Sequence, residues 1–194
     1  MSDSKSKILM AASELFGENG AGGMSVRAIS NRAGLSTIGI YNHFNGKQGI
    51  LDALYIEGFQ LVMAAVNVLG EDLSPRDAVL KGLSNYIEFA RSKSAYYALI
   101  FGASDPSYTP SSEAIAVGEE AFNRLTHLVS RAIPTQLSGR EKRQAALELW
   151  ALAHGYVSLQ DHEATDLIPN TAWRDLMMNA VTLHLDALIA KHAR

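Results

Sequence analysis

The chain of 194 residues contains no cysteine. Disulfides, thiolate nucleophiles and cysteine-ligated zinc are therefore excluded, and a reducing cytoplasm is the expected location. Proline is scarce as well, with five residues, and the first residues lack the pattern of a secretion signal. No run of about eighteen apolar residues occurs, so the sequence predicts no membrane-spanning segment.

A surplus of basic charge is also missing, because 17 Lys and Arg stand against 20 Asp and Glu. The charges are unevenly distributed, however. Residues 1–47 carry five basic and three acidic side chains, a net +2, whereas the remainder carries twelve and seventeen, a net −5. A mildly basic amino-terminal part on an acidic body suits a protein of which only that part meets a polyanion.

Apolar residues recur at spacings of three and four along almost the whole chain, and no stretch shows sustained alternation. This spacing is typical of amphipathic helices, so the chain is predicted to be all-α. Capping residues and glycine or proline breaks divide it into about nine helices. The predicted helices are residues 3–18, 26–33, 37–43, 47–69, 75–92, 95–102, 111–133, 138–161 and 171–192.

The turn between the second and third helices is the strongest local feature. Gly34 can adopt a positive φ and end one helix, Leu35 can fill the junction, and Ser36 can cap the next helix. Three short helices with glycine-marked breaks inside fifty residues match a helix-turn-helix. We therefore predict two domains, a helix-turn-helix head at residues 1–47 and a helical body at residues 48–194 that binds an effector and dimerises.

The third helix has little apolar surface, and only Ile40 and Phe44 are spaced to anchor it to a core. Such a helix packs poorly unless its open face has another partner, and the major groove of DNA accepts a helix. Thr37 and Ile38 are the candidate base readers, with Gly39 permitting close approach. Serines at helix starts and nearby polar tips would hold phosphate. The predicted DNA-binding residues are Ser25, Arg27, Ser36, Thr37, Ile38, Gly39, Tyr41, Asn42, His43 and Lys47. The alternative is that the serines are plain caps and Tyr41 is half-buried.

The string from Ser25 to Phe44, followed by Gly46-Lys47 and Ile50-Leu51, closely resembles the head of the TetR/AcrR family, over about residues 4–55. The resemblance implies that Ser25 is a phosphate-contacting cap, usually threonine in the family. It also implies that three further side chains touch the phosphate backbone, those of Tyr41, His43 and Lys47. Many members have glycine where this chain has Ile38, so no relative's operator sequence can be transferred.

The body has a weaker resemblance. Trp150, His154 and Gly155 form a Trp-x-x-x-His-Gly pattern similar to the WHG-type carboxy-terminal domain of some TetR-like regulators. The family implies that the last two long helices pair with those of a second copy in a four-helix bundle. Trp173, Leu176, Val181, Leu185 and Leu188 are then expected in the core and interface. A homodimer carries two heads about 34 Å apart, which suits a palindromic operator.

The family further implies a small, mostly apolar effector between the middle helices of the body. Aromatic and flexible apolar side chains are the candidates for its binding site. They are Phe59, Met63, Tyr96, Tyr97, Ile100, Phe101, Phe122, Trp150, His154 and Met177. Ordinary core packing is the alternative for each of them. His154 could supply a polar contact to the effector or be a satisfied core histidine.

Signals of catalysis are missing, since the sequence has no glycine-rich phosphate loop and no nucleophile-elbow motif. His184, Asp186 and His192 are interpreted as solvated charge, and Asp161-His162-Glu163 as a satisfied turn, so neither metal nor cofactor is expected. The leading hypothesis is a repressor released when an effector displaces the fourth helix, although a co-repressor or activator fits equally. The alternatives are an architectural or protein-interaction factor without effector, and a helical enzyme using His154.

Overall fold

A computed structural model describes residues 3–68, 72–102, 108–160 and 169–192. These residues form nine α-helices and one short 3₁₀-helix, and the predicted all-α fold is confirmed. The helices are α1 (Asp3–Asn19), α2 (Val26–Ala33), α3 (Thr37–Phe44), α4 (Lys47–Val66), α5 (Pro75–Ser92), α6 (Ser94–Phe101), α7 (Ser112–Ser130), α8 (Gly139–Leu159) and α9 (Asn170–His192). The 3₁₀-helix, Ala21–Gly23, lies between α1 and α2.

The chain divides into two compact units. The first consists of Met1–Leu61 and Arg91–Glu119, and the second of Val62–Ala90 and Glu120–Arg194. Three helices, α4, α5 and α7, contribute residues to both units. The boundary predicted after residue 47 divides the chain by function, whereas the two units divide it by compactness. The predicted boundary therefore stays a prediction.

In the first unit, α1 packs against α2, α3 and α6. Ile8, Ala12, Ile29 and Ile40 are fully buried there. A guanidinium on α2 reinforces the packing, because Arg32 lies 2.8–3.3 Å from carboxylate oxygens of two α1 glutamates. The short α2 and α3 are thus fixed mainly by one apolar face each.

The turn from α3 into α4 depends on backbone that most residues avoid. Asn45 ends α3 with φ 55°, and Gly46 follows with φ 93°. Two residues into α4, a Cβ on Gly49 would lie 1.7 Å from the carbonyl oxygen of Phe44. Since no real Cβ approaches a backbone oxygen so closely, the chain can make this turn only with glycine at position 49.

The start of α4 is also tied to the segment that leads into α7. The Gln48 side chain donates to the carbonyl oxygen of Thr109 at 2.6 Å. The Asp52 carboxylate accepts from the Tyr108 hydroxyl at 2.8 Å and from the Ser111 backbone N–H at 3.1 Å. These bonds lower the pKa of Asp52, although its partial burial acts in the opposite direction and is the largest single influence.

In the second unit, α8 and α9 form the most extensive helix pair. A capping box at Ser138 and Glu141 begins α8. The buried residues of the two helices are Ala145, Ala146, Leu149, Ala153, Trp173, Met177, Val181, Leu185 and Leu188. Arg76 of α5 joins Asp186 of α9 through two bonds of 2.6 and 2.8 Å. Four of the five α9 residues predicted in the core are therefore buried, and the fifth, Leu176, is 38% exposed.

Two predicted helices end three residues earlier than expected. The α4 helix stops at Val66 and α7 at Ser130, because tighter turns follow each of them. The N–H of Asn67 bonds the carbonyl of Ala64, and that of Arg131 bonds the carbonyl of Leu128. Residues 161–163, interpreted as a satisfied turn, lie outside the described residues.

By length and hydropathy alone, α4 could cross a membrane, contrary to the expectation that no segment qualifies. Its pattern is equally that of a core helix. Ile50, Leu51, Leu54, Phe59, Val62 and Val66 are buried.

Candidate nucleic-acid interface

The α2 and α3 helices begin with the same arrangement. Ser25 accepts a hydrogen bond from the Ala28 N–H at 3.1 Å, and Ser36 accepts one from the Gly39 N–H at 3.2 Å. Between the helices, Gly34 adopts the left-handed conformation, with φ 65°. Because each serine hydroxyl accepts through a lone pair, its hydrogen remains able to donate to an external oxygen. Both predicted caps are therefore real caps, and both keep a donor for phosphate.

The third helix leaves most of its surface open. Ile40 is fully buried and anchors it, whereas Ile38 is 70% and Tyr41 57% exposed. Thr37 and Asn42 are exposed as well. We call these four exposed side chains, Thr37, Ile38, Tyr41 and Asn42, the reading face. An isoleucine this exposed gains nothing from the fold of its own chain.

Gly39 lies beside the reading face and is not required by packing. A Cβ at this position would meet only the Ser36 hydroxyl oxygen, at an ordinary 3.7 Å, among the described residues. Glycine in a helix costs up to about 1 kcal/mol relative to alanine. Packing among the described residues therefore does not explain the glycine at this position.

The other predicted phosphate-binding residues surround this helix. Arg27 is exposed and His43 half-buried. The Tyr41 ring lies over Gly46, where a Cβ would be 3.1 Å from the ring. Lys47 donates from its Nζ to the carbonyl oxygen of Ala21 at 3.3 Å. An ammonium has three donors, so this bond fixes the side chain without using up its hydrogen-bonding capacity.

Sequence reasoning missed the ion pair that holds α2 on α1. Hydrogen bonds from Arg32 lower the pKa of Glu18, and the same bonds with Glu18 and then Glu14 raise the pKa of Arg32. The signal was present in the sequence, since Glu14 and Glu18 are four residues apart and share one face of α1. Gly49 was also missed, because a glycine in the first turn of a helix is not by itself informative.

A second open surface lies on α8 and α9. The side-chain contacts Glu148–His184, at 3.0 Å, and Tyr156–Trp173, with ring centroids 6.0 Å apart, show that the two helices are antiparallel neighbours. Four leucines on these helices are exposed, of which Leu183, at 72%, is the most exposed. We call them the leucine stripe: Leu147, Leu159, Leu176 and Leu183.

Gly155 of α8 lies level with Leu176 in this antiparallel pair. A Cβ on Gly155 would meet no atom within 4 Å among the described residues. No other described helix approaches Gly155 from its own chain. A helix of another chain therefore has room to make the close approach that was predicted at Gly155.

The predicted effector-binding residues fall into two groups. Five belong to the first unit: Phe59, Tyr96, Tyr97, Ile100 and Phe101. There the rings of Phe59 and Phe101 are 5.6 Å apart and those of Tyr97 and Phe101 5.1 Å, so they contact one another. Tyr96 donates to Glu57 at 2.9 Å, and burial first, then this bond, raises the pKa of Tyr96.

The other five lie in the second unit: Met63, Phe122, Trp150, His154 and Met177. The Trp150 ring is 6.0 Å from Phe122 and 6.1 Å from His154, and its N–H donates to the Tyr86 hydroxyl at 3.2 Å. Burial lowers the pKa of His154 and favours its neutral form. The ten candidates are thus divided equally between the two units, and their role in effector binding stays a prediction.

A cavity of about 460 Å³ lies in the second unit, between the end of α4 and the second half of α7. Of the ten candidates, only Met63 borders it. The other lining residues are Val66, Asn67, Val68, Glu120, Asn123, Arg124, His127, Leu128 and Arg131. Sequence reasoning missed this site, although Arg124 and His127 are three residues apart on one face of α7 and Arg131 follows directly after its end.

His184 and Asp186, interpreted as solvated charge, have side chains that are 37% and 47% exposed, and each has a side-chain partner. His184 contacts Glu148, and Asp186 accepts from Arg76. Bonds from Gln144 first and His184 next lower the pKa of Glu148, despite an opposing effect of burial. Among the described residues, no group of three or more metal-ligating side chains occurs.

Comparison with known proteins adds to this geometry. The family model described as "Bacterial regulatory proteins, tetR family" matches residues 8–54. The model described as "Tetracyclin repressor-like, C-terminal domain" matches residues 79–181, more than half of the chain. The narrower WHG-type assignment is not confirmed by these matches and stays a prediction.

Individual proteins are also similar to this chain in sequence or in fold. An uncharacterized helix-turn-helix-type transcriptional regulator of Mycobacterium tuberculosis is 24% identical over 161 residues, covering 81% of this chain and 70% of that protein. A Rhodococcus protein of unknown function has the same fold, with a TM-score of 0.80, 22% identity and 97% of each chain covered. The TetR family transcriptional regulator PfmR of Thermus thermophilus gives a TM-score of 0.68 at 17% identity, covering 92% of this chain and 97% of that one. The family, the Mycobacterium tuberculosis relative and PfmR are transcriptional regulators and not enzymes. With its capped helix-turn-helix and the two family matches, this chain belongs to the TetR family of transcriptional regulators and carries the DNA-binding domain of that family.

Proposed function

We propose that the protein is a cytoplasmic homodimeric repressor that leaves a palindromic operator when a small, largely apolar effector binds. The observation that carries the proposal is the reading face on α3, which is exposed although it includes an isoleucine and a tyrosine. Buried Ile40 and the Ser36 cap hold this helix in place while leaving that face open. A fixed helix with an open face of mixed chemistry suits the major groove.

Within this proposal the reading face specifies the operator and the surrounding donors position the head. Ile38 supplies an apolar contact for a thymine methyl group, and Thr37 supplies a hydroxyl and a methyl. Ser25 and Ser36 each retain a donor for phosphate, and Arg27, Tyr41, His43 and Lys47 add further contacts. Asn42 completes the surface between these two sets.

The leucine stripe supports the homodimer. Leu147, Leu176 and Leu183 are 49%, 38% and 72% exposed, and a Cβ on Gly155 would meet no atom within 4 Å among the described residues. Burying about 25 cal/mol per Å² of apolar surface against a second copy is the most direct way to remove this exposure from water. In a dimer with twofold symmetry the same patch faces itself, which matches a palindromic operator.

The effector would act through α4, which starts three residues after the recognition helix and ends at the 460 Å³ cavity. A ligand that favours a displaced α4 would shift the population toward heads that fit the operator less well. A coupling free energy of about 1–3 kcal/mol corresponds to a change in operator affinity of roughly 5–150-fold.

The test begins with the selection of bound duplexes from a random library, followed by fluorescence anisotropy on the best one. We expect a palindrome, and an affinity that falls steeply with salt, with a logarithmic slope of about −0.9 per phosphate contact. A flat salt dependence without duplex preference would refute DNA binding. A selected site without twofold symmetry would refute the dimeric mode of reading.

The variant Ile38→Ala tests the role of the reading face, with Ile115→Ala as the matched control. Ile115 is also an exposed isoleucine in a helix, at 49%. We expect Ile38→Ala to weaken binding to the selected duplex by about tenfold and to leave binding to a scrambled duplex unchanged. An equal loss on both duplexes would mean that Ile38 does not read sequence.

A further inference from the structure

The cavity between α4 and α7 has an apolar floor. Val66 at the end of α4, Val68 just after it and Leu128 of α7 are buried, and Met63 borders the cavity half-buried. Gly82 of α5 closes the packing behind it, since a Cβ there would lie 2.8 Å from the Leu128 side chain. At about 460 Å³, the cavity lies within the usual range for small-molecule sites.

Its rim carries an excess of positive charge. Arg124 donates to Glu120 at 2.9 Å, so these two charges compensate each other. The Arg131 guanidinium and the His127 imidazole have no hydrogen-bond or ion-pair partner among the described residues. Arg131 is thus the uncompensated cation at the edge of an apolar cavity, in a chain whose net charge is −3.

The end of α7 does not account for this arginine. A cation near a helix carboxy terminus often satisfies the last carbonyl groups. Here the carbonyls of Leu128 and Val129 already accept from the N–H groups of Arg131 and Ala132, at 3.3 and 2.9 Å. The guanidinium therefore remains available to a ligand, with five donors in a geometry that matches a carboxylate.

From this arrangement we propose that the cavity binds an amphipathic organic anion, with its apolar chain on the α4–α7 floor and its carboxylate on Arg131. The carboxylate accepts from the guanidinium, and Asn123 and His127 on the same rim offer further donors. This assignment rests on the proposed function only for its regulatory consequence, because the binding step itself involves no DNA.

The structure also indicates how such binding would reach the head. Both helices that line the cavity continue into the first unit. There Gln48 and Asp52 tie the start of α4 to the residues just before α7. A ligand between the two helices in the second unit would therefore act on a helix that is held at its other end beside the recognition helix.

Isothermal titration calorimetry of the full chain with three ten-carbon probes tests the binding step. The probes are decanoate, decanol and decyltrimethylammonium, each used below its micelle concentration. We expect decanoate to bind at least about tenfold more tightly than the other two, because only its head group forms a charge-assisted pair with Arg131. Equal binding of decanol would refute the role of the charge, and equal binding of propionate would refute the role of the apolar floor.

The variant Arg131→Gln should weaken decanoate binding by about ten- to a hundredfold and leave decanol binding unchanged. Arg140→Gln is the matched control, since Arg140 is an exposed arginine in the first turn of α8 and does not line the cavity. An unchanged decanoate affinity in Arg131→Gln would overturn the assignment. So would a change in oligomeric state, which would assign this surface to a contact between copies.

Anisotropy on the selected operator then separates the two proposals. Release of wild-type protein by decanoate, but not of Arg131→Gln, supports both. Calorimetric binding in a protein that selects no duplex would leave the anion site intact and refute the proposed regulator. Operator binding without any decanoate binding would refute the anion site and leave the proposed regulator intact.

Discussion

The reading face of α3 and the leucine stripe of α8 and α9 are both exposed apolar surfaces, yet they differ in chemistry. The reading face mixes Ile38 with a hydroxyl, a phenol and an amide, whereas the leucine stripe is mainly aliphatic, with exposed Asn179 between Leu176 and Leu183 on α9. A mixed surface can match the donors, acceptors and methyl groups of base edges. A mainly aliphatic surface suits another apolar surface. The side chains around an exposed apolar residue therefore indicate which kind of partner it suits.

Each surface also includes a helical glycine that its own chain does not require. Gly39 and Gly155 have room for a Cβ, unlike Gly49, whose Cβ would clash with the Phe44 carbonyl oxygen. The comparison separates Gly49, which the fold requires, from Gly39 and Gly155, for which a binding partner is the proposed reason. Four predictions test this distinction and the contrast between the two surfaces.

The largest expected effect is that of Leu183→Glu in the leucine stripe. A buried carboxylate at the centre of an apolar interface should abolish dimers in light scattering, because its desolvation is not compensated. Loss of the second head should then weaken binding to the selected palindrome by about a hundredfold or more. Ile115→Glu, on α7, is the matched control and should remain dimeric. A dimeric Leu183→Glu would show that the stripe is not the interface.

Next in size is Gly49→Ala, at the turn between α3 and α4. Because the new Cβ cannot coexist with the Phe44 carbonyl oxygen, the backbone must shift, at a cost of about 2–3 kcal/mol. Urea unfolding monitored by circular dichroism measures this loss. Stability equal to that of the wild type would contradict the close approach seen in the structure.

The two unrequired glycines should behave in the opposite way. Gly39→Ala and Gly155→Ala should each stabilise the isolated chain by up to about 1 kcal/mol, because alanine is the better helix former. In the same proteins, Gly39→Ala should weaken operator binding without affecting dimerisation, and Gly155→Ala should weaken dimerisation. If both variants gain stability and keep both binding activities, these glycines serve no partner.

The smallest effect concerns the Glu148–His184 pair beside the leucine stripe. The folded state lowers the pKa of Glu148 below its ordinary 4.5, so its carboxylate stabilises the fold above that pH. This stabilisation is lost as the pH falls through the lowered pKa. Thermal unfolding of Glu148→Gln should therefore show a shallower loss of stability below about pH 4.5 than the wild type. Glu119→Gln, at an exposed site on α7, is the control and should follow the wild type.

Much of the head could be predicted because its signals are local. Ser25, Gly34 and Ser36 act on backbone groups within three or four residues, so sequence spacing is enough to place the caps and the turn. The ion pair of Arg32 with Glu18 joins residues fourteen positions apart, and the sequence did not specify which of several partners it would choose.

The body was less predictable because its contacts join residues that are far apart in the sequence. Trp150 and Phe101, both predicted to contact the effector, belong to different compact units, and their role stays a prediction. Nothing in the spacing of aromatic residues decides which face of which helix meets another helix. The cavity is lined by a cationic face of α7 that has an ordinary solvated-surface pattern. Only its position beside Val66 and Val68 distinguishes it.

The uninterrupted course of α4 has a mechanical consequence. Its 20 residues span about 30 Å, and it contains no proline that would let it bend. In a rod of that length, a tilt of about four degrees moves the far end by roughly 2 Å. A tilt of that size about the Val66 end would thus move Lys47 farther than the roughly 0.5 Å over which hydrogen-bond distances vary.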